Sequence, residues 1–364
     1  MAADSDLVYL QSAVELAARG MYTCTPNPRV GCIIVRDGTV LGRGWHVRAG
    51  EGHAEVNAIA DAGGFVEGAT VYVSLEPCAF HGRTPPCSDT LIEARVGRVV
   101  AAMTDPHPEV AGRGFAALQQ AGIPVEVIEM PQALELNAGY RCRIAKGRPL
   151  VRLKTAISLD GRTGMASGES KWITSEAARA DVQAWRAQSC AIVSGSGTIM
   201  ADDASLTVRD ERFRVDGAIR QPLRAIADSR LELPADAAVF AGPGQTILFH
   251  GPDAEPHVPD IEHVCLGVAT GADRGKVDLG GMLAELGRRG CNEVLVEAGA
   301  RLLGAFIRAG LWDEMIVYVA PKLLGSDARP LAHLPIETMS GAVQAKMIDC
   351  EPVGDDLRIR LARA

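Results

Sequence analysis

Gly52-His53-Ala54-Glu55, answered by Pro77-Cys78 and then by Pro86-Cys87, is the pattern around which the rest of the chain is read. His53, Cys78 and Cys87 offer an imidazole and two thiols as ligands for zinc. Three protein ligands leave the fourth tetrahedral position to a water, which separates a catalytic site from a closed structural one. Two thiolates and a neutral His roughly cancel the charge of the ion. Water at such a site is acidified less than at an all-His site, where its pKa falls to about 7. A base is therefore needed, and Glu55 stands two residues from His53. Residues i and i+2 do not share a helix face, so His53 is placed at the first position of a helix running to Ala62, with Glu55 in its first turn. Both side chains then converge on one point.

Taken singly, these residues are ordinary. A His beside a Glu is usually surface or core, and two Cys nine positions apart are usually buried thiols. Together and in this order they match the His-x-Glu and Pro-Cys signature of zinc-dependent nucleobase deaminases. The usual spacing in that signature is Cys-x-x-Cys, whereas here the eight residues 79–86 lie between the thiols.

The chain has 364 residues, nearly half of them hydrophobic, and a net charge of −8. That length suggests two domains. No apolar run approaches the roughly 18 residues a membrane span needs, and the first residues, Met1 to Asp6, are acidic rather than the basic start of a signal peptide. A cytoplasmic protein without a membrane partner is expected. Nine cysteines without disulfide-like spacing fit a reducing compartment, and no disulfides are expected. The acidic balance argues against a nucleic-acid surface, which rests on clustered Lys and Arg.

Leu7, Leu10, Val14, Ala17 and Met21 recur at helical spacing. After the break at Thr25-Pro26-Asn27-Pro28, strands are expected over 30–35 and 40–46, then the zinc helix, a strand over 70–75, a helix over 88–95 with Cys87 at its start, a strand over 99–103, a helix over 112–121, a strand over 125–128 and a helix over 132–145. Alternating strands and helices imply an α/β domain with its sheet covered on both faces. Pro149 steers the residue before it out of helix, so the boundary is put between residues 147 and 148.

Beyond it, residues 151–156 alternate as a strand and Ser175 can cap the helix that carries Trp185 and Arg186. Cys190 to Ser194 is a short strand leading to Gly195-Ser196-Gly197-Thr198, and Glu293 to Glu297 is another leading to Ala298-Gly299-Ala300. A Gly-x-Gly alone is a common tight turn. Two glycine turns, each between a strand and a helix N-terminus, suit a dinucleotide lying across the carboxyl edge of a parallel sheet.

Residues 1–147 resemble the cytidine-deaminase-like fold. The set Thr25-Pro26-Asn27-Pro28-Arg29-Val30-Gly31, Gly52-His53-Ala54-Glu55 and Pro77-Cys78 through Thr84-Pro85-Pro86-Cys87 resembles the deaminase domain of the bacterial bifunctional riboflavin-biosynthesis deaminase/reductases, in which a long loop between the cysteines is usual. Lys154-Thr155-Ala156, Ser158-Leu159-Asp160-Gly161, Ser170-Lys171-Trp172-Ile173-Thr174 and Leu206-Thr207-Val208-Arg209 resemble the reductase domain of the same family, which is dihydrofolate-reductase-like and uses NADPH. The resemblance implies a zinc-dependent pyrimidine deaminase domain over 1–147 and an NADPH-dependent reductase domain over 148–364, acting on a small phosphoribosyl pyrimidine, in a homo-oligomer (dimer or tetramer).

For the site residues it implies that Asn27 and His46 contact the pyrimidine and that Arg83 lies near the ribose phosphate. Ser170, Arg186, Ser205, Leu206, Arg209 and Glu297 would bind substrate in the second domain. Ala156, Asp160, Thr163, Trp172, Thr174, Gly195, Thr198, Asp202, Glu297 and Gly299 would surround the cofactor, and Lys154 and Asp202, if adjacent, would handle a proton at the ribose. Two departures stand out: Ala298 where the family generally has glycine, and Ala204 where it has proline. Three other readings remain at this stage: a zinc-stabilised NADPH-sensing binding protein, a nucleoside or tRNA deaminase with an appended domain, and a relative of dihydrofolate reductase, which leaves the zinc half unexplained.

Overall fold

The computed structural model describes residues 4–80, 85–269 and 273–364. Two compact units divide the chain, Met1–Lys146 and Gly147–Ala364. In the first, the order is α1 (Asp4–Ala18), β1 (Gly31–Arg36), β2 (Thr39–Trp45), α2 (Ala54–Asp61), β3 (Thr70–Val73), α3 (Cys87–Glu93), β4 (Arg98–Ala101), α4 (Arg113–Gln120), β5 (Val125–Val127), α5 (Pro131–Leu136) and α6 (Ala138–Lys146). The sheet runs β2-β1-β3-β4-β5. β1 is antiparallel to both β2 and β3, and β3, β4 and β5 are parallel to one another.

Successive strand residues point to opposite faces, and the cores follow that period. Cys32, Ile34, Val71, Val73, Val99 and Ala101 pack with Ala54 and Ala58 of α2, Leu91 of α3 and Leu118 of α4. Ile33, Val35, Tyr72 and Val100 face the other way, onto Leu10 and Val14 of α1 and Ala133 of α5. α2 lies almost on the backbone of β2. A Cβ at Gly44 would stand 2.3 Å from the Ala54 carbonyl and 2.4 Å from the Ala58 nitrogen. This close approach fixes the height of the helix that begins beside His53.

The single helix expected over 132–145 is two helices. Asn137 interrupts it: its side-chain oxygen accepts from the Arg29 N–H at 2.8 Å and its NH₂ donates to the Arg29 carbonyl at 2.9 Å. A side chain engaged with a distant backbone competes with helix continuation.

The second unit runs β6 (Leu150–Ser158), β7 (Arg162–Gly164), α7 (Glu176–Gln188), β8 (Ala191–Gly195), α8 (Ser196–Asp202), β9 (Arg214–Val215), β10 (Ala218–Ile219), β11 (Leu223–Ala227), β12 (Thr246–His250), β13 (Glu262–Cys265), α9 (Leu279–Arg288), β14 (Glu293–Glu297), α10 (Ala300–Arg308), β15 (Glu314–Ala320), β16 (Arg329–Pro330), β17 (Ala345–Val353) and β18 (Asp356–Arg363). Nine strands form one sheet in the order β13-β12-β11-β8-β14-β6-β15-β18-β17. β13 through β15 are parallel, and β18 and β17 add an antiparallel hairpin. Val294 and Val296 of β14 pack with α9 and α10, while Leu295 between them packs with α7. Ser175 caps α7 by accepting the Ala178 N–H at 3.2 Å. The Gly195-Ser196-Gly197-Thr198 stretch is not an open turn but the start of α8, with Gly195 as its N-cap.

Candidate active sites

His53 is the N-cap of α2 rather than its first helical residue, with an extended backbone (ψ 167°), and Glu55 follows in the first turn. Cys87 opens α3, and Cys78 lies on the segment leaving β3. Their ligand atoms all lie within 4.8 Å of one another. His53 Nδ1 is 3.1 Å from Cys87 Sγ and 3.6 Å from Cys78 Sγ, against roughly 3.5–3.8 Å between the corners of a tetrahedral zinc site built from ordinary Zn–N and Zn–S bonds. The donor set therefore comes within about half an ångström of the spacing zinc requires.

Side-chain electrostatics agree. The Cys87 thiol beside it, helped by His53 and by the Cys87 N–H, pulls the Cys78 thiol down to about 4 against the effect of burial. The same contact and burial push Cys87 up. The two sulfurs thus lie close enough to share a proton, which a metal would displace. Glu55 is buried, and burial followed by the negative Cys78 raises its carboxyl to about 7, tempered by His53.

His46 is 2 % exposed, and both of its ring nitrogens are engaged: Nδ1 with the Gly52 carbonyl at 3.1 Å and Nε2 with the Asn27 side-chain nitrogen at 3.0 Å. Burial holds its pKa down. In the neutral ring this network assigns the proton to Nδ1 and turns the Asn27 NH₂ toward His46, so His46 orients Asn27 instead of reaching outward itself. Asn27 is half-buried. Arg83 and His81 lie outside the described residues.

Two residues that the motif reading passed over hold this arrangement. Asn57 of α2 donates to the Trp45 and Gly52 carbonyls at 2.8 and 3.2 Å, closing the loop before His53. Glu76 accepts four backbone N–H groups. The signal available for Glu76 was its place in a Glu-Pro-Cys run at a strand end.

In the second unit a cleft of about 1600 Å³ opens where β6, β8 and β14 end. Lys154, Ala156, Thr163, Ser170, Trp172 and Thr174 line it; so do Arg186, Gly195, Thr198 and Asp202, and so do Ser205, Leu206, Arg209, Glu297 and Gly299. Asp160 is the exception. Its carboxylate is turned to the Leu324 and Gly325 N–H groups, the latter at 2.8 Å, and to the Ser158 hydroxyl, contacts that hold it down at about 2.

Lys154 does not pair with Asp202. Its ammonium lies 3.9 Å from Glu297, whereas Asp202 accepts from the Ser170 hydroxyl at 3.4 Å. Burial lowers the Lys154 pKa. Arg186 spends its guanidinium on Glu297, at 2.6 and 3.0 Å, and on the Thr207 carbonyl at 3.1 Å. Burial pushes the Glu297 carboxyl up, but Arg186 and Lys154 outweigh it and hold the group below its ordinary value.

The two glycine turns sit side by side because β8 and β14 are paired. The Gly299 N–H donates to the Thr198 hydroxyl at 3.0 Å, and a Cβ at Gly197 would meet nothing within 4 Å. Arg230, Arg274, Lys276 and Arg301 line the same cleft. Open backbone at a helix start with basic side chains around it suits a dinucleotide phosphate, and Ala298 leaves that space intact because its side chain packs into the core.

Residues 3–103 match the model of the cytidine and deoxycytidylate deaminase zinc-binding region, and residues 149–359 match the RibD C-terminal domain. The chain is 48 % identical to the riboflavin biosynthesis protein RibD of Escherichia coli strain K12, over 99 % of this chain and all of that protein, and 45 % identical to its namesake in Haemophilus influenzae, over 97 % and 96 %. Among solved structures, Acinetobacter baumannii RibD superposes with a TM-score of 0.91 at 44 % identity, covering 99 % of both chains. The Thermotoga maritima diaminohydroxyphosphoribosylaminopyrimidine deaminase/5-amino-6-(5-phosphoribosylamino)uracil reductase superposes with a TM-score of 0.85 at 29 % identity, again over 99 % of both. With both halves matched along their length, this chain belongs to the riboflavin-biosynthesis RibD family of bifunctional deaminase/reductases.

Proposed function

We propose that residues 1–147 deaminate 2,5-diamino-6-(5-phosphoribosylamino)pyrimidin-4-one with water, releasing ammonia, and that residues 148–364 then use NADPH to reduce the ribosyl group of 5-amino-6-(5-phosphoribosylamino)uracil to ribityl. The convergence of His53, Cys78 and Cys87 beside the buried Glu55 is the observation that carries the reading. His53, Cys78 and Cys87 would hold zinc, which would supply an acidified water as nucleophile. Glu55, buried beside that position, would take a proton from the attacking water and return it to the departing amine. Asn27, held by His46, orients the pyrimidine, and the family resemblance assigns the ribose phosphate to Arg83.

In the cleft, NADPH would supply a hydride to the ribosyl C1 once the bond from that carbon to the ring oxygen has opened. Gly195, Thr198 and Gly299 present backbone to its phosphates, with Ala156, Thr163, Trp172, Thr174, Asp202 and Glu297 around the rest, while Asp160 acts from outside the cleft by holding the Leu324–Gly325 turn. Ser170, Arg186, Ser205, Leu206 and Arg209 hold the substrate. Lys154, its pKa lowered by burial, gives up a proton more readily than an exposed lysine and delivers it to the ribosyl oxygen, with Asp202 completing the polar wall.

We also infer a cytoplasmic homo-oligomer, a dimer or tetramer. Nine cysteines, none of them in a disulfide, support the first part. Exposed Met347, Ile348 and Leu357 on the last hairpin support the second.

The test is a coupled assay on the full chain with the diaminopyrimidine ribonucleotide. Ammonia is expected without NADPH, and NADPH oxidation only after deamination. Glu55→Ala should slow ammonia release about 10²–10⁴-fold while keeping zinc and full NADPH oxidation on the pre-deaminated uracil. A mutant that releases ammonia at the normal rate removes Glu55 from the mechanism, and zinc-loaded protein giving neither signal overturns the reading in favour of a binding protein.

A further inference from the structure

Glu76 is 3 % exposed, and no Lys or Arg among the described residues forms an ion pair with it. Its charge is met by backbone alone. Oε2 accepts from the Asp105 N–H at 3.1 Å and the Gly112 N–H at 3.0 Å, and Oε1 accepts from the Gly114 N–H at 3.0 Å and the Phe115 N–H at 3.5 Å. Gly112 is the N-cap of α4 and, being glycine, brings no side chain to cap it. The free N–H groups at the start of that helix, which a nearby Ser or Asp ordinarily satisfies, are satisfied instead by a residue from 36 positions earlier in the chain. A local cap would stabilise α4 equally well, so the distant one is better explained by what it does at its own end.

That end is the metal corner. Pro77 follows Glu76, and its carbonyl lies so close to α4 that a Cβ on Gly114 would be 1.9 Å from it. Proline fixes its own φ, so Pro77 is a stiff arm of one residue between the anchored Glu76 and Cys78. On the far side, the Cys78 carbonyl accepts the Ser88 N–H at 3.1 Å and its sulfur accepts the Cys87 N–H at 3.3 Å. Cys78 is thus held between the first turns of α3 and α4, by its own carbonyl and sulfur on α3 and through the Glu76 side chain on α4.

We propose that Glu76 is a positioning residue for the metal centre, its carboxylate docking the Pro77–Cys78 corner on the start of α4 so that the Cys78 sulfur stays at ligand distance. The inference rests on the reading of His53, Cys78 and Cys87 as a zinc site. Glu76→Gln keeps the shape but can accept at one oxygen only, and turns its NH₂ against two of the four donors. Partners that hold metal ligands in place typically contribute 10–100-fold in metal affinity.

The experiment is zinc release from the full-length protein into excess chromogenic chelator, well below the melting temperature, for wild type, Glu76→Gln, Glu76→Asp and Leu10→Ala. Leu10 is fully buried under the opposite face of the sheet, so its truncation destabilises the same unit without touching the corner. Glu76→Gln is expected to release zinc about 10-fold faster or more, with Glu76→Asp, which keeps the charge on a shorter arm, between it and wild type, and Leu10→Ala at the wild-type rate. Should Glu76→Gln not fold, Glu76→Asp against Leu10→Ala decides alone. Wild-type release from the Glu76 variants, or equal acceleration in Leu10→Ala, overturns the positioning role while leaving the zinc site standing. Wild-type protein that binds no stoichiometric zinc overturns the site itself.

Discussion

At the end of β14, Glu297 receives both arms of Arg186 and lies 3.9 Å from Lys154, so that one carboxylate answers two cations with its side chain only 11 % exposed. Glu297→Gln leaves Arg186 buried without its counter-charge, a loss of roughly 3–5 kcal/mol when one partner of a buried pair is removed. Because the folded carboxyl is held below its ordinary value of 4.5, its contribution is fully present above that value and is lost as pH falls through the lower, folded one. Urea unfolding followed by tryptophan fluorescence should therefore show a deficit in the variant at neutral pH that shrinks in acid; three of the four tryptophans, Trp172, Trp185 and Trp312, lie in this unit. Equal midpoints at neutral pH would make the pair incidental. That His53, Cys78 and Cys87 come together could be read from sequence because residue type and spacing carry the chemistry of such a group. Asp160, Asn57 and Glu76 could not, since each acts through backbone groups of segments far along the chain, and the pairing of Lys154 with Glu297 rather than Asp202 depends on which strands are neighbours.

Among the elements, α2 and β2 are the pair on which the metal site depends. Strand and helix positions in the first unit were largely legible, because alternation separates the two cores residue by residue, as Ile33 and Ile34 show by packing on opposite faces. The break at Asn137 and the helical start at Ser196 were not, since one is imposed by Arg29 more than a hundred residues away and the other by the pairing of β8 with β14. The height of α2 over β2 is likewise a tertiary fact, set by glycine. Gly44→Ala drives a methyl to 2.3 Å from the Ala54 carbonyl, and because backbone lies on both sides the helix itself must lift. Overpacking of this kind costs typically 1–3 kcal/mol, and lifting α2 carries His53 and Glu55 away from the two cysteines. We expect Gly44→Ala to lower zinc content and ammonia release together while NADPH oxidation on the uracil substrate is unchanged. Full zinc occupancy at the wild-type melting temperature would show that the sheet can absorb the methyl.

For the whole molecule, each unit has its own sheet and its own buried clusters, so each ligand should stabilise only the unit that binds it. A ligand that binds the native state alone stabilises by about 2.7 kcal/mol at 100 times its Kd, and for a unit of 150–250 residues each kcal/mol moves Tm by about 2–4 °C. Calorimetry of the intact chain should then resolve two transitions. NADPH at about 100 times its Kd should raise one by roughly 5–11 °C, and removing zinc with a chelator should lower the other and leave the first in place. Because the imidazole and thiol ligand groups must be deprotonated to hold metal, and the Cys87 thiol is pushed up by its contact with Cys78, the zinc-dependent shift should weaken as the pH is lowered while the NADPH-dependent shift does not follow it. A single transition moved by both ligands would mean that the two halves unfold as one cooperative body, and that zinc bound in one of them contributes to the stability with which the other holds its cofactor.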